Sequence, residues 1–544
     1  MSTASATDAT TRKQKHPGAS WKQQRPTGAF DAIVIGSGIG GLTAAALLAR
    51  YGNRRVLVLE RHYRAGGYTH SFARKGWDWD VGVHYIGQVG ERGALRGMFD
   101  RLSDGRIEWS PLPEVYDRVI LGDRSYDLVA GRARFIERMC AYFPGESDAI
   151  VRYVDLVRTT ARQGTMHFLG KVLPRPVGFA ANAIFARSFA GLAARTTRDV
   201  LSELTKNEEL IAVMTGQYGD YGLPPSQSSF AMHAALVSHY LGGGWYPTGG
   251  AERIAQGIAP LIEEKGGHIA VSAEVKEIVV EGGRAVGVRM VDDTVLRAPI
   301  VVSDAGVANT FNRLLPSEHV PPRWAQALQR VPLSFSWYAL YLGYTQSDAE
   351  LGLDGTNLWI YPDERHDENV RAYVADESAP FPVVYASFPS AKDPDFARRH
   401  PGHATVDLIT MARWESTERW ADTRWHHRGD DYEAHKQQIT ERLLAALHKQ
   451  RPQLAGKAAH VELSTPVTAA HFAGYGRGEL YGLDHTPARF ALPLRPKTPV
   501  PGLFLAGADV ATAGVAGGLL GGVMAAGAIL GPRAVRDFVA PRRR

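Results

Sequence analysis

The chain has 544 residues, a formal net charge of +6, 44% hydrophobic and 22% charged side chains, and one cysteine. That length exceeds one ordinary domain and suits two or three interleaved ones, and the composition excludes a disordered polymer. The lone Cys140 excludes an internal disulfide and fits a reducing, cytoplasmic compartment, while the modest basic excess favours an anionic ligand or surface without indicating nucleic acid.

Residues 1–29 are polar, with Arg12, Lys13, Lys15, Lys22 and Arg25 among Ser, Thr, Gln and Pro, and they lack the apolar run of a secretory signal. They are expected to form a flexible arm, part of which packs on the body through Trp21. From Phe30 the chain reads FDAIVIGSGIGGLTAAALLARYGNRRVLVLE: an apolar strand, a glycine turn, a helix, and a second strand ending in an acid. Gly36, Gly38 and Gly41 make the pattern GxGxxG, and Glu60 stands where a ribose-binding acid is expected. The first glycine permits a tight turn, the second lets backbone approach a pyrophosphate, and the third lets the helix pack on the strand. Amides at the helix start then hold the phosphates.

AGGYTHSF (65–72) and GWDWDVGVHYIG (76–87) combine glycines with aromatics, as loops beside a flat ligand do. Residues 158–198 carry Arg158, Arg162, Lys171, Arg175, Arg187, Arg195 and Arg198 and no acid, interleaved with Phe, Leu, Val and Ile. This is the pattern of a segment lying in a membrane interface, the alternative being a helical lid with a basic rim. An amphipathic helix is expected over about 250–265, strands over 269–288 with a hairpin turn at Gly282-Gly283, and a further strand at 301–305. The runs FSWYALYLGY, FPVVYASFP and ATVDLITMARW read as an antiparallel sheet, followed by a charged helix over about 430–448. His426-His427 lacks a carboxylate or cysteine at ligand spacing, so no metal is expected. PGLFLAGADV supplies a last strand. The uncharged stretch 510–530 is long enough for a membrane span, but six glycines make it a buried helix instead.

These separated motifs together resemble the phytoene-desaturase-like flavoproteins, in the branch of the retinol saturases and carotenoid isomerases; GVHYIG is the most saturase-like element. The resemblance implies an α/β fold: an FAD-binding Rossmann-like domain of the amine-oxidase type with a β-meander, and an interleaved mixed substrate domain with an apolar tunnel. The FAD domain would comprise residues 30–110, 245–330 and 465–544, and the substrate domain 111–244 and 331–464. Gly36, Ser37, Gly38, Ile39, Gly40 and Gly41 would wrap the pyrophosphate and Glu60 would hold the adenosine ribose. Arg61 would lie along the adenine, Gly66 and Gly67 near the phosphate and ribityl chain, and Val275 would pair with adenine through its backbone. Gly507 and Asp509 would meet the ribityl and pyrophosphate, and Gly517, Gly518 and Leu519 would start a helix facing the flavin ring. Many desaturases carry arginine after the glycine pair, where this chain has Tyr68.

A flavin supplies hydride exchange, while protein groups position substrate and move protons. Reduction of C=C needs a hydride on one carbon and a proton on the other, so a general acid is required near the ring. His84 and Tyr85 are the candidates, and Trp245 and Tyr246 could wall the tunnel. The implied activity is saturation of a C=C bond in a retinoid, carotenoid or other polyene lipid. Redox-neutral isomerisation and desaturation are the alternatives, and amine oxidation a more distant one. The implied partners are that substrate, a membrane surface touched peripherally, and, since no second GxGxxG follows a strand, a separate electron donor or acceptor.

Overall fold

A computed structural model describes residues 16–172, 187–492 and 494–539. Strands β1 (Ala19–Ser20), β2 (Ala32–Ile35), β3 (Val56–Leu59), β4 (His268–Val271), β5 (Val301–Ser303) and β6 (Leu503–Leu505) form one sheet in the order β1-β4-β3-β2-β5-β6. Every neighbouring pair is parallel. All four residues of β2 and of β3 are buried, as unbroken apolar strands must be when helices cover both faces. Helix α1 (Ile39–Gly52) connects β2 to β3 and gives the βαβ unit expected from the glycine pattern. Residues 275–297 form the meander, three antiparallel strands whose first turn holds Gly282 and Gly283 at φ +55° and +74°. The parallel sheet with its βαβ unit and meander is the α/β architecture that the sequence resemblance implies.

A second sheet has seven strands in the order 458–464, 336–344, 404–412, 384–387, 357–361, 115–121 and 124–129. It is antiparallel except where Asn357–Tyr361 runs parallel to Asp117–Leu121. That parallel seam joins the segment before residue 130 to the aromatic runs after 330, which sequence periodicity alone reads as one antiparallel block. Tyr338, Leu340, Leu342, Leu358, Val406 and Leu408 fill its core.

The uncharged C-terminal run is helix α2 (Gly514–Leu530), buried from Gly517 through most of its length. Its glycines exist for close approach. A Cβ on Gly518 would lie 2.6 Å from Ile39 Cγ2, and one on Gly522 would strike Gly40 O and lie 2.7 Å from Thr43 Cβ. The absence of charge therefore reflects packing against α1, and among the described residues no helix is long and apolar enough to cross a membrane.

Part of the polar arm is ordered. β1 pairs with β4, Trp21 is buried, and its Nε1 donates to Asp292 Oδ2 at 3.0 Å. Within 158–198, the described apolar residues Phe168 and Phe189 turn inward to the core, and Arg195 pairs with Glu203 at 2.6 Å. The inward packing supports the helical reading of this part over the interfacial one. Residues 173–186 of the segment lie outside the described residues.

The helix crossing yields the first prediction. Gly522→Val should destabilise the protein by about 1–3 kcal/mol through overpacking and lower its flavin content. Gly145→Ala, with nothing within 4 Å of the new Cβ, should stay within about 0.5 kcal/mol of wild type. Thermal unfolding and the absorbance of purified protein report both; equal melting of the two variants would refute the close-packing account.

Candidate active site

A cleft of about 420 Å³ runs between the two sheets. At one end the chain passes from β2 into α1 through Gly36, whose φ of +96° allows the sharp turn. Gly36, Gly38, Ile39 and Gly40 line the cleft. Gly41 lies behind them, where a Cβ would strike Gly36 O. Glu60, at the end of β3, is buried: its Oε2 accepts from Ser37 N at 2.9 Å and Ser37 Oγ at 2.7 Å, and its Oε1 accepts from His62 N at 2.7 Å. Ser37 Oγ in turn accepts from Gly66 N at 3.0 Å. The acid therefore ties the first glycine loop to the second. Gly66 and Gly67 have φ of +125° and +55°, and a Cβ on Gly67 would sit 2.8 Å from Gly38 Cα. Such a cradle of bare backbone, edged by a carboxylate facing the cleft, fits a dinucleotide diphosphate and its ribose.

Arg61 and Val275 line the same end. Arg61 Nη1 donates to His471 O at 2.9 Å, and its Nε stands 3.6 Å from Glu274 Oε1. Gly507 and Asp509 close the cradle from the C-terminal side: Asp509 Oδ2 accepts from Val307 N at 2.7 Å and Oδ1 from Leu483 N at 3.0 Å. Gly518, with Gly514 and Val515, presents the start of α2 to the cleft. Gly517 and Leu519 are placed elsewhere: Gly517 packs on Thr512 O, and Leu519 is fully buried in the core around the parallel sheet. Tyr68 stacks on Tyr475 with centroids 6.3 Å apart and planes at 7°, and both rings line the cleft.

Sequence reasoning missed two residues here. Asp304 follows β5 and lies against the glycine turn, near enough that a Cβ on Gly38 would sit 2.6 Å from its Oδ2. Burial pushes its carboxyl up to about 8 against the pull of the Gly41 N–H, with Glu60 and Asp509 adding to the rise. Arg489, fully buried, donates from Nη2 to Ala508 O at 3.1 Å and Asp509 O at 2.9 Å, fixing the C-terminal loop from behind. An acid directly after an apolar strand was the available signal for Asp304; Arg489 offered none.

The other end of the cleft is aromatic. Phe72, Trp337, Tyr341, Trp359, Tyr385 and Tyr481 line it, four of them (Trp337, Tyr341, Trp359 and Tyr385) on strands of the seven-stranded sheet. His84 is among the lining residues, its ring edge-on to Tyr385 at 5.3 Å and its Nδ1 3.5 Å from Oδ2 of the buried Asp407. Burial raises the Asp407 carboxyl, and His84 and Lys392 oppose that rise.

Tyr85, Trp245 and Tyr246 face away from the cleft. The Tyr85 hydroxyl donates to Asp117 Oδ2 at 2.8 Å behind the wall, and its ring stacks on Tyr240. Trp245 lies against Gly90, half-buried on the outside of the core around the parallel sheet. Tyr246 donates to Asp80, which also accepts from Ser71 Oγ and Ala251 N and so anchors a helix start. For Tyr85 the reason is local: His84 and Tyr85 are adjacent, and successive side chains in extended backbone point to opposite sides. Among the described residues no group of His, Cys, Asp and Glu is arranged to hold a metal ion.

Comparison with known proteins agrees with this geometry. The model of the family "Flavin containing amine oxidoreductase" matches residues 39–530. An all-trans-retinol 13,14-reductase from Danio rerio is 37% identical over 522 residues, covering 92% of this chain and 86% of that protein. A chloroplastic prolycopene isomerase from an Oncidium hybrid cultivar is 25% identical over 475 residues, covering 82% and 74%. The solved structure of a cyclohexylamine oxidase from Brevibacterium oxydans superposes with a TM-score of 0.59 at 20% identity, covering 95% of this chain and all of that one; it speaks to fold. The chain belongs to the flavin-containing amine oxidoreductase family, in the branch of the all-trans-retinol 13,14-reductases, and its cofactor is FAD.

Asp304 makes cofactor binding depend on pH. Below about 8 its carboxyl is neutral; above that value it ionises beside the turn that faces the diphosphate. FAD affinity should therefore fall about tenfold, or ~1.4 kcal/mol, as pH rises through that range. Flavin fluorescence titrations on either side of it measure the effect. Asp304→Asn should bind FAD with a flat profile there, and an unchanged slope in that variant would remove Asp304 as the cause.

Proposed function

We propose that this protein saturates a C=C bond of a hydrophobic polyene, of the retinoid or carotenoid type, with electrons from a separate carrier. The observation that carries this reading is the aromatic end of the cleft, where rings wall an apolar channel and one histidine, backed by a buried carboxyl, faces inward. The 37% identical relative is by name a reductase of a retinoid C=C bond.

FAD, when bound, supplies hydride exchange with the substrate carbon. The Gly36–Gly41 turn, Gly66-Gly67 and Gly507 would hold its diphosphate and Glu60 its ribose, with Arg61 and Val275 toward the adenine. Trp337, Tyr341, Trp359 and Tyr385 orient a flat, conjugated chain by their faces and keep water from it. Asp407 engages His84 through Nδ1, which leaves Nε2 as the ring atom available to the cleft. From Nε2, His84 gives the polyene the proton that completes saturation. Tyr85 supports the wall from behind and does not touch the substrate.

A second reading, redox-neutral isomerisation, is favoured by the prolycopene isomerase match, since the same channel would hold the polyene. Anaerobic incubation with a reductant and a polyene, read by mass spectrometry, separates the two. A gain of two hydrogens supports saturation, unchanged mass with a shifted absorption spectrum supports isomerisation, and turnover of amines alone defeats both.

His84→Ala should leave the protein yellow and flavin-loaded while lowering kcat by about 10²–10⁴-fold, the usual contribution of a general acid. Wild-type turnover in that variant would strike His84 from the mechanism.

A further inference from the structure

Behind the aromatic wall lies a buried polar cluster that the mechanism above does not use. Asp117, on the strand Val115–Leu121, accepts from four donors. Its Oδ1 takes Asn357 Nδ2 at 2.8 Å; its Oδ2 takes Tyr85 Oη at 2.8 Å, Gln217 Nε2 at 2.6 Å and Trp359 Nε1 at 3.1 Å. Burial raises the Asp117 carboxyl, and the four donors around it oppose that rise by stabilising the ionised form. Lys392 joins the cluster through the same amide: its Nζ donates to Asn357 Oδ1, and to Ser387 Oγ at 2.6 Å and His84 O at 3.0 Å.

The same Tyr85 oxygen also lies 3.3 Å from Asp220 Oδ2, on the short turn Tyr218–Asp220. A phenol has one hydrogen. Tyr85 gives that hydrogen to the nearer, four-donor partner Asp117, and Gln217 Nε2, at 3.3 Å, is a further donor to Tyr85. A hydrogen bond between Tyr85 and Asp220 then requires Asp220 to bring its own proton. Asp220 and Gly219 line the cleft beside Trp359 and Tyr385. Burial and the nearby Asp117 both push the Asp220 carboxyl upward, in agreement with the donor count.

We propose that Asp220 stands at the cleft wall as a neutral carboxylic acid, hydrogen-bonded to Tyr85, and is a proton-delivering catalytic residue of the saturation. This rests on the function proposed above; each C=C takes one proton, which comes from His84 or from Asp220, on a different element, according to which of them the carbon to be protonated is seated against. In the step assigned to it, the Asp220 O–H bond breaks and a C–H bond forms at the polyene carbon bearing the electron pair that entered with hydride from a two-electron reductant. The carboxylate left behind is met by Tyr85, whose hydroxyl turns from Asp117 to donate to Asp220. Asp220 regains its proton from solvent when the product leaves.

Infrared difference spectra of flavin-loaded, substrate-free wild type and Asp220→Asn test the resting state. The variant should lose the C=O stretch of one protonated carboxylic acid; loss of a carboxylate band instead overturns the proposal. Turnover tests the role. Asp220→Asn, matched in shape and checked for flavin content, should lower kcat by at least about tenfold with KM little changed. Tyr85→Phe, which cannot stabilise the carboxylate formed, should also lower kcat. Full kcat in Asp220→Asn overturns the delivery role. If wild-type protein saturates no polyene, the delivery role falls with the proposed function, and the infrared comparison still decides the protonation of Asp220.

Discussion

Backbone meets backbone at the cofactor end of this molecule, and that contact constrains the rest of the fold. The Gly36–Gly41 turn touches Gly67 from one side and Gly507 from the other: a Cβ on Gly40 would lie 2.6 Å from Gly507 Cα. These three segments are separated by up to roughly 470 positions, yet the cradle exists when all three arrive together. The α1–α2 crossing is what brings the third one in. Its glycines sacrifice helix propensity, about 1 kcal/mol each, for an approach that larger residues forbid. Hydrogen bonds from Ser37 to Glu60 and from Gly66 to Ser37 lock the second segment in place.

The same closeness governs charge. A diphosphate cradle built from amides needs no lysine, and the carboxyls around it, Glu60, Asp304 and Asp509, are instead engaged by backbone N–H groups. Asp509 and Asp304 thereby act as struts between loops. At the opposite end the principle recurs with different partners. Asp80 anchors Ala251 and Tyr246, Asp117 gathers four donors, and one buried cation, Lys392, is held down to about 7 by burial despite the carboxyls around it. With several buried acids and one lysine in this cluster, full ionisation would leave uncompensated charge, which costs several kcal/mol per ion. Some of the acids must hold protons at rest.

How much of this was legible in the sequence depends on the range of the interactions involved. The βαβ unit, the meander turn at Gly282-Gly283, the helix over 252–263 and the helix from Asp430 follow from local period and turn chemistry, and the structure has them. Gly36, Gly38 and Glu60 were expected from the spacing of the strand–turn–helix motif, and Gly67 and Gly507 from the family resemblance; all five line the cleft. Tyr85, Trp245 and Tyr246 were placed correctly near the centre but on the wrong side of the wall. Their direction is set by Asp117, Gly90 and Asp80, between 32 and 166 positions away. Asp220 and Lys392 carry no motif at all; their meaning comes from hydrogen-bond counts that exist after folding.

Tyr68 shows how the two ends are joined. Where an arginine in related desaturases would place a fixed positive charge, this chain has a phenol stacked on Tyr475, with its hydroxyl 3.5 Å from Glu479 O. Neutral rings, those of Tyr68, Tyr475, Tyr341 and Tyr385, are among the residues that line the cleft. An uncharged, conjugated hydrocarbon loses little by entering such a passage, whereas a fixed cation would strand a counterion beside it. Proton donors for a substrate of that kind must themselves be uncharged or paired when it arrives. His84 meets the condition through Asp407, and a protonated Asp220 meets it through Tyr85. The channel can then carry acid–base chemistry without exposing an apolar ligand to unbalanced charge.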